Sequence, residues 1–375
     1  MIGQLLHIYG ILVFAFCSLI FLITASNIVW LEHTLTSDRK KTSPSVAVLI
    51  SAHNDAGHIG HCLDSLLKQD YSPYQIYAID DNSSDGTWEI LKDYMLRYPR
   101  KLRAYKAEVL PEHRYGKARA VQELSLHAKE EYLVSTEPDT FHRSDSIGKA
   151  IAIAEKYHAD LVTGYAGRRM STFSEAATEP AMYFLSLFSL PLYLIPFTKS
   201  PALSLATSQL MCFRHAFFKE IGGYEEARNY ELEHLKIARA VKRHGGKVVF
   251  VDVKDTVESS KPSKYHESMQ SVAKNAFSYL GGNFIYFALV TIAIPLFFLV
   301  PILAWGISSL SLSRALPYLK ASTIVVFYTC LLGTIDRRFP WYVPFIYPII
   351  AVNALRALWR GSRLPRDVAR RRAQS

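Results

Sequence analysis

Four short motifs carry residues whose types and spacing suit chemistry. Ser51-Ala52-His53-Asn54-Asp55 closes an apolar run. Asp80-Asp81-Asn82-Ser83-Ser84-Asp85-Gly86-Thr87 closes a second. Tyr115-Gly116-Lys117-Ala118-Arg119-Ala120 opens a helical pattern, and Glu137-Pro138-Asp139-Thr140 follows a further apolar run. An Asn-Asp pair at a strand end can accept hydrogen bonds from a base or a ribose, and so can the acidic turn at 80–87. Ser84 or Asp85 in that turn also suits the cap of the next helix. Gly116-Lys117 offers an open backbone and a cation to a diphosphate. Glu137 and Asp139 offer hard oxygen ligands to Mg²⁺ or Mn²⁺, which favour carboxylate together with phosphate. Each motif alone is weak. Their order, each placed at the end of a strand or the start of a helix, describes a nucleotide-diphosphate site with a bridging metal.

The elements that must hold these residues are legible between 45 and 260. Apolar β-type runs at 46–51, 75–80, 101–107, 131–136, 159–167 and 246–252 alternate with helical periods. In the first helix Ile59, Cys62, Leu63, Leu66 and Leu67 form the inward stripe. Strand alternating with helix predicts an α/β domain on a doubly wound, mostly parallel sheet. Ligands of such sheets bind at the carboxyl ends of the strands, where the acidic motifs lie.

The flanks differ in character. Hydrophobic residues make up 50% of the 375 and the formal net charge is +10. Leu5 to Leu31 carries no Asp, Glu, Lys or Arg, and a bilayer core of about 30 Å needs about 20 such residues. It lacks a cationic leader and a small-residue cleavage site, so it reads as an anchor over 1–35. Arg39-Lys40-Lys41 follows it and predicts a cytoplasmic catalytic domain. Membrane segments are expected over 280–358, and a basic cytoplasmic tail over 359–375. The run 284–305 spans, 323–335 spans if extended back to Leu316, and 341–358 is expected to be re-entrant or interfacial. That last expectation keeps the Arg-rich tail on the cytoplasmic side. The apolar run 182–197, broken by Pro191 and Pro196, reads as a helix on the membrane face. Lys and Arg clusters beside hydrophobic runs point to anionic lipid and not to nucleic acid. The four cysteines form no CxxC pair, so neither a disulfide framework nor a zinc site is expected.

From about Ser45 to Asp252 the chain resembles family 2 glycosyltransferases with the GT-A fold, on the motifs DDNSSDGT, GKARA and Glu137-Pro138-Asp139. The resemblance implies an inverting enzyme that uses a nucleoside-diphosphate sugar, most often a UDP-sugar. It implies that Asp55 (where the family carries Glu) and Asp81 hold the uridine, that Lys117 binds phosphate, and that Asp139 and Glu137 stand where the family binds metal. Ser208-Gln209 stands for the family's Gly-Gln beside the acceptor, with Gln209 kept. The family's Glu-Asp pair, whose Asp is the general base, falls on Glu233-His234. Three readings stay open there: His234 is the base; Glu233 or Glu231 is the base after a register shift; or the protein is impaired or repurposed. Met269-Gln270 lacks the Arg-Trp of processive synthases. Leu358-Trp359-Arg360-Gly361-Ser362-Arg363 resembles a motif of members acting on carotenoid, hopanoid and ceramide lipids. The expectation is a multi-pass, non-processive hexosyltransferase of the cell membrane, as in a bacterial inner membrane, acting on an isoprenoid or other lipid acceptor. A glycan-assembly enzyme with a sugar acceptor is the second reading, and a non-catalytic membrane partner that keeps the nucleotide pocket is the third.

Overall fold

The computed structural model describes residues 2–34, 43–107, 116–168, 170, 172–225, 233–259, 265–279, 284–303, 315–337 and 339–361. Glu231, the Arg39–Lys41 cluster, Arg338, Arg363 and the basic tail beyond 361 lie outside these residues, as does the side chain of Lys274. The chain divides into two compact units, 30–169 with 192–261, and 1–29 with 170–191 and 262–375.

The first unit is built on β1 (Val46–Ala52), β2 (Tyr74–Asp80), β3 (Leu102–Lys106), β4 (Tyr132–Thr136), β5 (Thr140–His142), β6 (Leu161–Tyr165), β7 (Gly167–Arg168), β8 (Met211–Arg214), β9 (Val248–Asp252) and β10 (Val257–Ser259). Seven of them form one sheet in the order β3-β2-β1-β4-β8-β6-β9. All its pairings are parallel except those of β8, which runs antiparallel to β4 and β6. A second sheet joins β5, β10 and β7. The VAVLISA sequence of β1 is buried along its whole length, as a strand inside a parallel sheet covered on both faces must be.

The helix of the first strand crossover, α2 below, buries Ile59, Cys62, Leu63 and Leu66 against the sheet, and Val48, Ile50, Ile76 and Val134 meet them in one core. Two turns in this unit bear on the site. Asn54 and Asn82 both adopt positive φ, 55° and 56°, a region that asparagine tolerates through local side-chain hydrogen bonds. The N-cap of the next helix is Gly86, not Ser84 or Asp85, and it carries no side-chain cap; Asp85, one residue before it, accepts from the Thr87 amide at 3.1 Å.

In chain order the helices are α1 (Ile2–Thr34), α2 (Ile59–Leu67), α3 (Thr87–Arg97), α4 (Lys117–His127), α5 (Ser146–Tyr157), α6 (Phe173–Thr178), α7 (Pro180–Ser189), α8 (His215–Glu220), α9 (Glu233–Arg243), α10 (Tyr265–Tyr279), α11 (Phe284–Ile294), α12 (Val300–Leu303), α13 (Leu316–Arg337) and α14 (Tyr347–Gly361).

The second unit is helical. Two helices among the described residues, Gly3–Thr34 and Leu316–Arg337, are long and apolar enough to cross a membrane. The second of these does begin at Leu316. The described part of the run, 284–303, folds as α11 and α12 joined by a π-helical turn at Pro295–Leu299, where Pro295 lacks the amide a regular turn would use. The segment 341–358 forms turns and then the fifteen-residue α14. Inside this unit Asn353 of α14 donates to the Ala177 carbonyl at 2.9 Å and accepts from the Tyr265 hydroxyl at 3.0 Å. Tyr183 donates to Asp336 at 2.7 Å. The run 182–197 is two elements, not one helix. It is cut at Leu190-Pro191, because the residue before a proline is driven out of the helical region. Residues up to Ser189 complete α7, and Leu192–Phe197 form a 3-10 turn in the sheet unit, held by Lys242 Nζ donating to Ile195 O at 2.6 Å and Thr198 O at 2.8 Å.

Candidate active site

A cavity of about 320 Å³ opens at the carboxyl ends of the parallel strands. It is lined by Ser51, His53 and Asp55 after β1, Asp81 after β2, Lys117 at the first turn of α4, Glu137, Pro138 and Asp139 after β4, and Gln209 before β8. Six of the residues expected from the sequence thus converge: Asp55, Asp81, Lys117, Glu137, Asp139 and Gln209.

Local backbone chemistry sets each of them. Asp55 turns its carboxylate back onto the His53 amide at 3.0 Å, while its own amide donates to Thr87 Oγ1 at 2.9 Å. Asp81 accepts from the Gly116 amide at 3.1 Å, which ties the end of β2 to the start of α4. Gly116 has φ 69° and ψ 147°, a conformation open to glycine alone, and it delivers Lys117 into the cavity. β8 pairs Met211 with Ser135, so the residues before it lie beside the end of β4. The Gln209 carbonyl there accepts from Thr136 Oγ1 at 2.8 Å.

Asn54 takes a different position. Its amide oxygen accepts from the Ser84 amide at 2.9 Å and its own backbone amide donates to Ser83 Oγ at 3.0 Å. It fastens the 82–85 turn and does not line the cavity. His53 does line it. Its Nδ1 lies 2.6 Å from the Asp81 carbonyl, which can only accept, so Nδ1 carries the proton. Nε2 then accepts from Asn54 Nδ2 at 3.2 Å. Sequence reasoning assigned Ser51 and His53 no role of their own within the first motif, and strand alternation could not have supplied one for His53, because β1 ends at Ala52 and Asn54 turns at positive φ.

Charge organises the floor of the cavity. Lys117 Nζ forms an ion pair with Glu137 Oε1, their side chains 19% and 24% exposed. Burial pushes the Glu137 carboxyl up, but the Lys117 ammonium and a hydrogen bond from Ser208 together hold it below the ordinary value. Glu233 and His234, at the head of α9, both feel Lys117 and Glu137. Burial raises the Glu233 carboxyl, with Lys117 opposing and Glu137 adding to the rise. Burial lowers the His234 imidazole to about 4, with Lys117 acting in the same direction, so it is neutral at physiological pH. Tyr224 is fully buried close by, its hydroxyl 3.4 Å from Met211 Sδ. The hydroxyl is pushed up by burial first, then by Glu233 and Glu137.

The donor set bears on a metal. Among the described residues no group of three His, Cys, Asp or Glu side chains forms a cage. Glu137 is engaged by Lys117, and the partly exposed Asp139 lines the cavity two residues on. That set fits a hard cation held by one or two carboxylates and completed by substrate phosphates. It does not fit a metal held by protein alone. The four cysteines are buried and free.

Comparison with known proteins agrees with this geometry. Residues 47–222 match the family model described as "Glycosyl transferase family 2". EpsE of Bacillus subtilis, named as a glycosyltransferase, is 25% identical over 125 residues, which is 33% of this chain and 43% of that protein. Glycosyltransferase GlyG of Streptococcus pneumoniae is 25% identical over 123 residues, 32% of this chain and 39% of that protein. The chain therefore spans less than half the length of these two relatives. Among solved structures, the mannosyltransferase PcManGT of Pyrobaculum calidifontis, in complex with GDP-Man and Mn²⁺, superposes with a TM-score of 0.56 at 16% identity, covering 85% of this chain and 98% of that one. By family model, relatives and fold, residues 47–222 are a glycosyl transferase family 2 domain of the GT-A type.

Proposed function

We propose that the chain is a membrane-anchored, inverting, non-processive glycosyltransferase that moves a hexose from a UDP-sugar to a hydroxyl of a lipid-like acceptor at the cytoplasmic face. The observation that carries this reading is the convergence of Asp55, Asp81, Lys117 and Asp139 on one strand-end cavity, beside Glu233. In this reading Asp55 and Asp81 hold the nucleoside. Lys117 binds the diphosphate in this reading, and its ion pair with Glu137 holds the ammonium before the donor arrives. The PcManGT complex holds a nucleotide-diphospho-sugar and a divalent ion, the ligand classes invoked here.

In the proposed reaction the acceptor oxygen attacks the anomeric carbon as the bond to the diphosphate oxygen breaks. Glu233 takes the acceptor proton. We favour it over His234 because a base works best with a pKa near the operating pH. Burial moves Glu233 toward that range and moves His234 away from it. Lys117 receives the negative charge that develops on the leaving group. A divalent cation held by Asp139, with Glu137 in the same turn, would neutralise part of the diphosphate charge when bound. Glu231 lies outside the described residues, and its variant is the control for Glu233.

Membrane attachment is read from the two long apolar helices and from the large apolar side chains they leave exposed, Leu12 at 59% and Leu22 at 61% among them. The cytoplasmic face is read from Arg39-Lys40-Lys41 after the first helix.

The deciding experiment incubates purified full-length protein with a panel of radiolabelled UDP-hexoses and a membrane lipid extract, then separates organic from aqueous products. Label in the organic phase is expected. Label only in soluble saccharide would establish the sugar-acceptor reading, and nucleotide binding without turnover would establish the non-catalytic one. Asp139→Ala is expected to abolish transfer, and excess EDTA to inhibit the wild type. Full activity in EDTA would remove the metal from the reading.

A further inference from the structure

Beneath the turn that carries Glu137, Pro138 and Asp139 lies a polar cluster where apolar side chains would ordinarily fill the core. Thr136, Thr140, His142 and Ser146 are all buried, and none of them lines the strand-end cavity. Buried polar groups are paired, and a satisfied network rigidifies what it touches. Two bonds of this network end on the backbone of cavity residues. Thr136 Oγ1 donates to the Gln209 carbonyl at 2.8 Å, and Thr140 Oγ1 donates to the Glu137 carbonyl at 2.6 Å. The Glu137 carbonyl also accepts from the Thr140 amide at 3.3 Å and from the Cys62 thiol at 3.5 Å. These donors fix that peptide, and with it the direction in which the chain enters Pro138-Asp139.

The hydrogens of the network follow from its acceptors. A carbonyl only accepts, so each threonine gives its single hydroxyl hydrogen to its carbonyl. The two hydroxyl oxygens, 2.8 Å apart, then need a donor from elsewhere. His142 Nε2 lies 2.8 Å from Thr136 Oγ1 and 3.2 Å from Thr140 Oγ1. Burial lowers this imidazole to about 4, so at physiological pH the ring is neutral and carries one hydrogen. That hydrogen is on Nε2, shared between the two hydroxyls. Nδ1 faces the Ser146 hydroxyl at 3.3 Å, and Gln69 Oε1, the other acceptor of that hydroxyl, is met by the Ile147 amide at 3.2 Å.

We propose that His142 is a positioning residue of the transfer site: through Thr136 and Thr140, its Nε2–H holds the Gln209 backbone and the Glu137–Asp139 turn in the one arrangement that lets Asp139 take a divalent cation together with the diphosphate. The proposal rests on the nucleotide-sugar reading above and goes beyond it, because His142 lies outside the cavity. Without the ring hydrogen, two buried hydroxyl oxygens face each other with no donor. One hydroxyl must then turn toward the other and release its carbonyl. Loss of an outer group that orients a metal ligand lowers cation affinity by about 10- to 100-fold. His142 acts through one further hydroxyl, so the low end of that range is expected.

The full chain is purified in mild detergent, and Mn²⁺ binding in the presence of UDP is followed by electron paramagnetic resonance. The measurement is made well below each melting midpoint, so a lower stability by itself leaves the affinity unchanged. Two variants separate ring packing from the hydrogen. His142→Phe keeps a ring and removes the hydrogen, and should bind Mn²⁺ about tenfold more weakly. His142→Gln removes the ring and offers an amide N–H in place of Nε2–H, and should bind close to wild type. Thr140→Val cuts the bond to the Glu137 carbonyl and should match His142→Phe. Wild-type affinity in His142→Phe would overturn the proposal. An equal loss in His142→Gln would also overturn it, because ring packing would then be the cause. If His142→Phe does not fold, Thr140→Val decides, and wild-type affinity there overturns the proposal. A wild type that binds no Mn²⁺ with UDP would overturn the nucleotide-sugar reading as well, whereas wild-type binding with unaffected variants would overturn this proposal alone.

Discussion

At the residue scale the site turns on which side chains are held in which protonation state. Glu233 is the sharpest case, because burial moves its carboxyl upward against the pull of Lys117. A base must be deprotonated to act, so a raised pKa shifts the acid limb of the rate profile to higher pH. Glu233→Gln is expected to lower kcat by about 10²- to 10⁴-fold. It should also remove that limb from the pH–rate profile. His234→Gln should leave the limb in place, and a limb lost in His234→Gln but kept in Glu233→Gln would transfer the role to the histidine. His142 carries a separate pH dependence. It is 2% exposed, and burial lowers its imidazole from 6.5 to about 4. Between those values the unfolded chain takes a proton that the folded chain refuses, so stability falls as pH falls through this window. The loss amounts to about 3 kcal/mol by pH 4. His142→Gln should flatten the drop in melting temperature between pH 7 and pH 4.5, and an equally steep drop in the variant would exclude His142 as its source. These ionisation states were not legible in the sequence. Residue types and order picked out Asp81, Lys117, Glu137 and Asp139, but not that Lys117 pairs with Glu137. Nor did they show that Asn54 serves a turn while His53 faces the cavity, since both lie past the end of β1, where the positive φ of Asn54 and its bonds to Ser83 and Ser84 set the direction of the chain.

At the scale of elements the legible part was the parallel framework. Apolar runs bounded by turn residues marked β1, β2, β4, β6 and β9, because a doubly covered sheet needs uninterrupted apolar strands, while β3, LRAYK at the sheet edge, is largely unburied and was marked by its place after a helical period. β8 escaped for a physical reason. Met211–Arg214 is only four residues long and continues directly into α8, so its pattern cannot be told from the start of a helix. Yet β8 is what brings Gln209 to the end of β4. The joint between β2 and α4 has a similar role. Gly116 holds φ 69° and gives its amide to Asp81. Gly116→Ala would strain that backbone by about 1–3 kcal/mol. We expect it to swing Lys117 away from its diphosphate position, raising the dissociation constant for UDP measured by calorimetry while the far-ultraviolet circular dichroism stays native. Unchanged UDP affinity would mean that Lys117 is placed by its pair with Glu137 alone.

At the scale of the whole molecule the composition divides as the contacts do. Charged and strand-forming segments build the sheet unit, and the apolar segments, including α7 inserted at 180–189, gather in the helical unit. The hydropathy of 182–197 alone could not show that it is shared between the two, because apolar residues satisfy either core and only Pro191 marks the cut. The helical unit leaves Ile335 66%, Trp341 78% and Phe345 64% exposed. Large apolar side chains gathered on an outer surface call for an apolar surrounding. Helices of the length and apolar character of α1 and α13 are long enough to cross a hydrocarbon core, and on the proposed membrane anchoring neither high salt nor high pH should detach them. The chain is therefore expected to stay in the pellet after extraction of membranes with alkaline carbonate, and to enter the supernatant only with detergent. Release by carbonate would show that α1 and α13 lie on the surface or pack within protein, and the catalytic domain would then have to meet its acceptor from solution.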